Sequence, residues 1–352
     1  MLIEKVVLLL FFIKFAALFA IYLTSYSLSS FGFRGLFTYQ KMLSRRKFIQ
    51  NTLTGLAVAS FAPTELFANN ISNKPIKLTI LHTNDMHSRI DPFPLDGRKE
   101  SGFGGMARRA TLVKKIRSEQ EHTLLLDCGD VFQGTPYFNY FGGELEFRLM
   151  SEMGYDAGTL GNHDFDNGLQ GLQRALPAAK FPILNANYDF SKTILKDRFQ
   201  HYKVFNKGGI KIGIFGVGIE LNGIVPEHNY AETVYKNPVT VAKQMVATLK
   251  SMDCQFIICL SHLGYSYEID RISDMQLAAK VDGIDLILGG HTHTFLEEPT
   301  SVKSPNGDEV LINQVGWAGL RLGRIDVVFD KNNKKEVIKT ASIEIGEKID
   351  KM

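Results

Sequence analysis

KLTILHTNDMH, residues 77–87, decides how the chain is read: an apolar run of strand character stops abruptly at Asp85 and His87. The same event recurs downstream. HTLLLDCGD (122–130) ends in Asp130, DAGTLGN (156–162) in Asn162 with His163 next, QFIICLSH (255–262) in His262, and IDLILGGHTH (284–293) in His291 and His293. Core packing gives a strand no reason to end repeatedly in carboxylate, amide or imidazole groups. In α/β sheets the carboxyl ends of the strands border the ligand crevice, so loops distant in sequence can converge there. Singly each signal is weak, because Gly-Asp is turn chemistry and a lone His at a strand end is usually hydrogen-bonded structure.

Working outward, FPILNAN (181–187) and IKIGIFGVG (210–218) also read as largely buried strands, while GGMARRATLVKKIRSE (104–119) has helical spacing. This alternation predicts one α/β domain over residues 76–349, with no long Pro- or Ser-rich linker and no internal repeat. Arg108, Arg109, Lys114, Lys115 and Arg117 on the helical stretch are expected to form a solvated face. Cys128, Cys254 and Cys259 lack C-x-x-C spacing and lie in or beside apolar runs, so they read as buried free thiols. His82, His122, His201 and His228 match no motif and read as structural or exposed. Gly-Gly pairs at Gly104, Gly142 and Gly208 lack Walker spacing and read as turns.

Together, the ordered set D-x-H, GD, GNHD, SH and GHTH resembles the calcineurin-like metallophosphoesterase superfamily. LHTNDMH with GNHDFDNG (161–168) narrows the resemblance to the 5′-nucleotidase family, over essentially all of residues 76–346. The resemblance implies a four-layer αββα sandwich with a dinuclear metal site at the C-terminal ends of its strands. It implies that Asp130 bridges two ions, with Asp85, His87 and His293 completing the first site and Asn162, His262 and His291 the second. Thr292 offsets the directions of its two histidine neighbours, so they can address separate ions. A phosphate ester repels an attacking hydroxide, and two cations neutralise that charge while lowering the pKa of a bound water from about 15.7 toward ~7. Carboxylate, imidazole and amide ligands without thiolate suit Mn²⁺, Zn²⁺, Fe²⁺ or Co²⁺ better than Ca²⁺.

In the family resembled, the pair His163 and Asp166 is catalytic: the imidazole contacts the reacting phosphoryl group and the carboxylate orients it. An adjacent anion raises an imidazole pKa, so a cationic ring there could stabilise charge on the phosphoryl or leaving oxygen. The expected reaction is metal-dependent hydrolysis of phosphate esters, 5′-nucleotides or related nucleotide phosphoesters, by in-line attack of a metal-bound hydroxide. Rival readings keep the metals and change the substrate, to a UDP-sugar or cyclic-nucleotide diester, or to a sulfur ester as in the dimanganese thiosulfate-oxidation component. A non-enzymatic metal-binding module is the rival of another class. Complete 5′-nucleotidases of the family continue into a second, nucleotide-binding domain, whereas here a short polar tail follows RIDVVFD (324–330). The resemblance therefore leads us to expect the metallophosphatase domain alone, with a separately encoded nucleotide-binding domain as partner.

The formal charge is +3, yet residues 1–68 hold seven of the 40 basic and two of the 37 acidic residues, which leaves 33 against 35. That balance gives no electrostatic case for binding a nucleic-acid polymer. From Met42, MLSRRKFIQNTLTGLAVASFAPTELFA (42–68) resembles a twin-arginine export signal, with Arg45 and Arg46 paired and Phe48 behind them. The expected location is periplasmic or cell-surface. Ahead of it, residues 6–23 are nearly continuously apolar and long enough for a membrane helix. Two consecutive export signals would be redundant, so translation is expected to start at Met42, with residues 1–41 an upstream extension; an N-terminal membrane anchor is the alternative.

Overall fold

The computed structural model describes residues 75–330 and 334–352. The expected upstream segment and export signal, residues 1–41 and 42–68, lie outside the described residues. In chain order the elements are β1 (Ile76–Thr83), α1 (Met106–Glu119), β2 (His122–Asp127), α2 (Pro136–Phe141), α3 (Glu144–Met153), β3 (Ala157–Gly158), α4 (Gly168–Ala175), β4 (Tyr188–Asp189), β5 (Tyr202–Lys207), β6 (Ile210–Gly218), α5 (Glu227–Tyr230), β7 (Val234–Tyr235), α6 (Pro238–Ser251), β8 (Phe256–His262), α7 (Asp274–Lys280), β9 (Leu286–Leu288), β10 (Thr300–Lys303), β11 (Glu309–Asn313), β12 (Arg321–Phe329) and β13 (Lys335–Glu344).

Two sheets carry the architecture. One has the order β13-β12-β1-β2-β3, the other β10-β11-β9-β8-β6-β5, and β4 with β7 forms a separate ribbon. Within the first sheet β1, β2 and β3 run parallel. Within the second, β6, β8, β9 and β11 run parallel. The outer pairs are antiparallel.

Side-chain alternation explains the layering, since successive residues of a strand face opposite sides. From β1, Leu78 and Ile80 enter a core that also holds Ile212, Ile214, Ile258 and Leu260 of the second sheet. Leu81 faces the other way, into a core completed by Leu112, Val113 and Ile116 of α1 and by Phe147 and Leu172. On β8, Ile257 and Cys259 point outward to Val246 and Leu249 of α6 and Leu277 of α7. Helices thus cover the outer face of each sheet, giving the four-layer αββα sandwich. Strands buried on both faces read as continuous apolar runs rather than alternating ones, which is why the decisive stretches look as they do.

Three local expectations need revision. FPILNAN forms only isolated bridges, Ile183 to Gly158 and Leu184 to Gln200. Pro182 has no N–H for a ladder, and the Asn185 side chain accepts from the Tyr188 amide, turning the chain away. The basic residues of α1 are not one solvated face. Arg109 stands three, four and seven residues before Leu112, Val113 and Ile116, on the apolar stripe, and is 1% exposed with its guanidinium on the Met86 sulfur. Arg117 donates to the carbonyls of Met153 and Gly154 and to Asp156, and Arg108 pairs with Asp350, leaving Lys114 and Lys115 exposed. The three thiols are free as expected, but only Cys128 and Cys259 are buried and Cys254 is half-buried. No helix among the described residues is long and apolar enough to cross a membrane.

Candidate metal centre

The loops that follow β1, β2, β3 and β9, together with the last residue of β8, meet at one place. The Asp85 amide donates to the Gly129 carbonyl at 2.9 Å and the His87 amide to the Asp130 carbonyl at 3.0 Å, which fastens the first loop to the second. The His163 amide donates to Asp130 Oδ1 at 2.7 Å, fastening the third. The His291 amide donates to both Asp85 carboxylate oxygens at 3.0 Å, bringing in the loop after β9 from the other sheet.

Two clusters result: Asp85, His87 and His293 in one, Asp130, His262 and His291 in the other, each with its candidate ligand atoms within 4.8 Å of one another. Asn162 Oδ1 lies 2.7 Å from His291 Nδ1 and so joins the second. The clusters adjoin, with His262 Nε2 3.1 Å from Asp130 and 3.9 Å from Asp85. His291 and His293 fall in different clusters, although one residue separates them.

The donor chemistry fits a cation in each cluster. His262 is fully buried, and its Nδ1 donates to the Cys128 carbonyl at 2.6 Å, which fixes the tautomer with a lone pair on Nε2. That Nε2 has no well-directed hydrogen bond despite its burial, an arrangement costly unless something else fills the position. His87 and His293 point their Nε2 atoms at each other across 3.0 Å, and His293 Nε2 is also 3.4 Å from Asp85, so the three side chains face one small space. Burial works against a charged His262, yet Asp130 beside it carries the imidazole up to about 10, so the Nε2 position calls for positive charge, supplied by a proton or by a metal ion on the lone pair. Burial likewise works against a charged Asp130, but His262 holds its carboxyl well below the usual carboxylate range. The pocket demands positive charge, and divalent ions would answer that demand.

Local backbone strain marks the same residues. Asp85, His87, Asp130, His291 and His293 all lie in the left-handed region, with φ between 48° and 72°. Each such non-glycine residue costs about 1–3 kcal/mol and persists only where surrounding contacts over-determine it. A side chain at Gly161 would run into the Asp130 carboxylate, so only glycine lets the third loop approach the second.

Several supporting residues have no role assigned in the sequence reading, although Asn84 and Asp164 lie inside quoted motifs. Asp164, buried, accepts from the amides of Asp130, Val131, Phe132 and Gly161 at 2.8–3.2 Å and so shapes the Asp130 loop from behind. Gln314 accepts from Thr294 N and Thr292 Oγ1 and donates to the Gly290 carbonyl, holding the GHTH loop. Asn84 donates to Asp85 Oδ2 and accepts from Val315 N. Asp164 stands inside the quoted GNHD, which is the one signal that could have singled it out.

His163 and Asp166 sit at the rim. His163 Nδ1 is 2.8 Å from Asp166 Oδ2, and that hydrogen bond raises the imidazole above its ordinary value, against burial. The His163 ring lies 5.3 Å from that of His87. Its side chain is 38% exposed, where those of Asp85 and His262 are at 0%, so the site has a closed floor and an open mouth. Of the unassigned histidines, His82 is buried and accepts from Asn313, while His201 and His228 are exposed.

Comparison with known proteins places the chain among phosphoesterases. The family described as Calcineurin-like phosphoesterase matches residues 78–295. Over 295 residues the chain is 36% identical to snake venom 5′-nucleotidase from Gloydius brevicauda, covering 78% of this chain and 48% of that relative. Among solved structures, the 5′-nucleotidase precursor from Thermus thermophilus aligns with TM-score 0.70 and 33% identity, over 78% of this chain and 55% of that one. The calcineurin-like phosphoesterase YfkN from Bacillus subtilis aligns with TM-score 0.62 and 27% identity, over 77% of this chain and 91% of that one. The chain spans about half the length of the curated relatives it matches.

Proposed function

Because the chain belongs to the calcineurin-like phosphoesterase family, we propose that it hydrolyses phosphate monoesters of nucleotides or related small phosphoesters. The observation that carries this reading is the pair of adjoining His/Asp clusters, with Asp130 at their junction and the His163–Asp166 pair at the open rim. Asp85, His87 and His293 would hold one divalent ion, His262, His291 and Asn162 the other, and Asp130 both. Mn²⁺, Zn²⁺, Fe²⁺ and Co²⁺ all suit this donor set. When bound, two such ions neutralise phosphoryl charge and acidify a water. Asp166 holds the His163 ring by Nδ1, which leaves Nε2 to donate a proton or hydrogen bond to an oxygen of the ester. The half-exposed rim admits the substrate, and the buried floor keeps the ligand geometry fixed.

Nucleotide selectivity, in this reading, comes from a nucleotide-binding domain supplied as a separate polypeptide that docks beside the open rim of the metal centre. Binding energy from a base remote from the reacting bond is what such a domain would contribute to orientation. The chain alone should then prefer p-nitrophenyl phosphate to AMP, UDP-sugars and cyclic nucleotides in a panel with metal-loaded protein. An associating chain should raise kcat/KM for AMP by orders of magnitude. AMP turnover by the isolated chain at about 10⁶ M⁻¹s⁻¹, well within the range of complete enzymes, would contradict the partner.

We also propose export by the twin-arginine route to the periplasm or cell surface, on the strength of Arg45, Arg46 and Phe48. The venom relative and the description of the Thermus protein as a precursor support export as such, while the route rests on the paired arginines. That machinery reads paired arginine as an address rather than as charge, so Arg45→Lys with Arg46→Lys should leave folded precursor in the cytoplasm. Normal appearance of the double variant outside the cytoplasm would count against it.

A further inference from the structure

The single tryptophan of the chain, Trp317, lies against the metal centre. Its ring stacks on that of His293 at 5.6 Å between centroids and 6° between planes. It also meets His87 edge-on at 6.5 Å. Phe93 also packs edge-on against it at 5.9 Å, and the Arg89 guanidinium covers Phe93 at 4.1 Å. The backbone around Trp317 is pinned to two ligand loops: Gly316 N donates to the Thr294 carbonyl at 2.9 Å, and Ala318 N donates to the Asp85 carbonyl at 2.7 Å. Gly316 and Ala318 both have positive φ, at 79° and 54°.

His293 needs such a neighbour. A ligating imidazole is ordinarily held by a hydrogen bond from its second nitrogen, as the Cys128 carbonyl holds His262. Among the described residues, no protein group hydrogen-bonds His293 Nδ1, and the side chain is 38% exposed. A half-exposed ring without that anchor would turn about its χ angles, and the parallel indole face removes that freedom.

We propose that Trp317 is a positioning residue that fixes the ring plane of His293, so that ion affinity at the Asp85, His87 and His293 cluster depends on the indole. The Phe93–Arg89 column braces it from the loop that follows His87. This rests on the metal-centre reading above. It adds that the only intrinsic fluorophore of its kind in the chain reports occupancy of one cluster.

The test uses the full chain stripped with a chelator and titrated with Mn²⁺ or Co²⁺, following tryptophan emission and, in parallel, bound metal by elemental analysis. Emission of the native protein should fall as ions bind, since both ions are paramagnetic quenchers held one residue contact from the indole. Trp317→Ala should weaken one of two ions by ~10- to 100-fold, the usual effect of losing a residue that orients a ligand, and leave the other unchanged. Trp317→Phe, which keeps a stacking face, should restore most of the affinity. Two bound ions with unchanged native emission, or native affinity for both ions in Trp317→Ala, would overturn the proposal. A native chain that binds no ions by elemental analysis would overturn the metal-centre reading itself. Should Trp317→Ala fail to fold, Trp317→Leu, which fills the space without a stacking face, takes its place, and native affinity for both ions in that variant would equally overturn the proposal.

Discussion

Asp130→Ala is expected to empty both metal clusters and to lower ester hydrolysis with them, by well over 100-fold. Asp130 lies within 3.1 Å of His262 in one cluster, and its loop is tied through the His87 amide to the other. Removing a group that merely orients a ligand costs about 10- to 100-fold in metal affinity, and a carboxylate shared by two ions should cost more. Alanine would also leave His262 buried without its charge partner and free the His163 amide that Asp130 Oδ1 now accepts. Elemental analysis beside kinetics is the check. Retention of both ions in a folded Asp130→Ala protein would show that the clusters are not built around this carboxylate.

His163→Ala should behave in the opposite way with respect to metal: kcat should fall by about 10²- to 10⁴-fold, the range for a positioned acid or base, with both ions retained. His163 contributes its backbone amide to Asp130, and alanine keeps that amide. What alanine removes is the imidazole that Asp166 holds at 2.8 Å, a group able to act only on charge developing at the ester. A variant that lost an ion along with activity would place His163 among the ligands instead.

The contrast between these two residues also shows what could be read from sequence. The α/β class was legible because strands buried on both faces are continuous apolar runs, as in KLTIL, TLLLD and FIICL, whereas the four-layer αββα arrangement came from the family resemblance. The candidate ligands were legible because each of those runs ends in a polar group with no packing purpose. Arg109 misleads: a guanidinium on an otherwise charged helix suggests solvent, although its spacing to Leu112, Val113 and Ile116 places it on the buried stripe. Gln314 and Trp317 carry no signal, because their roles depend on which loop they fold against and no local spacing encodes that. Asp164 lies within a quoted motif, yet its four backbone donors come from two loops, those after β2 and β3, whose approach no local spacing encodes. Left-handed φ at an aspartate or histidine cannot be read from residue type, and those five strained positions are what aim the ligands.

The most direct test of the account is a paired titration of metal content and phosphoester hydrolysis on one preparation. Chelated protein should be inactive toward p-nitrophenyl phosphate, and activity should return with Mn²⁺ or Co²⁺ in step with the second of two bound ions per chain. Hydrolysis that survives complete removal of divalent ions, or two bound ions without hydrolysis of any phosphoester in the panel, would contradict it.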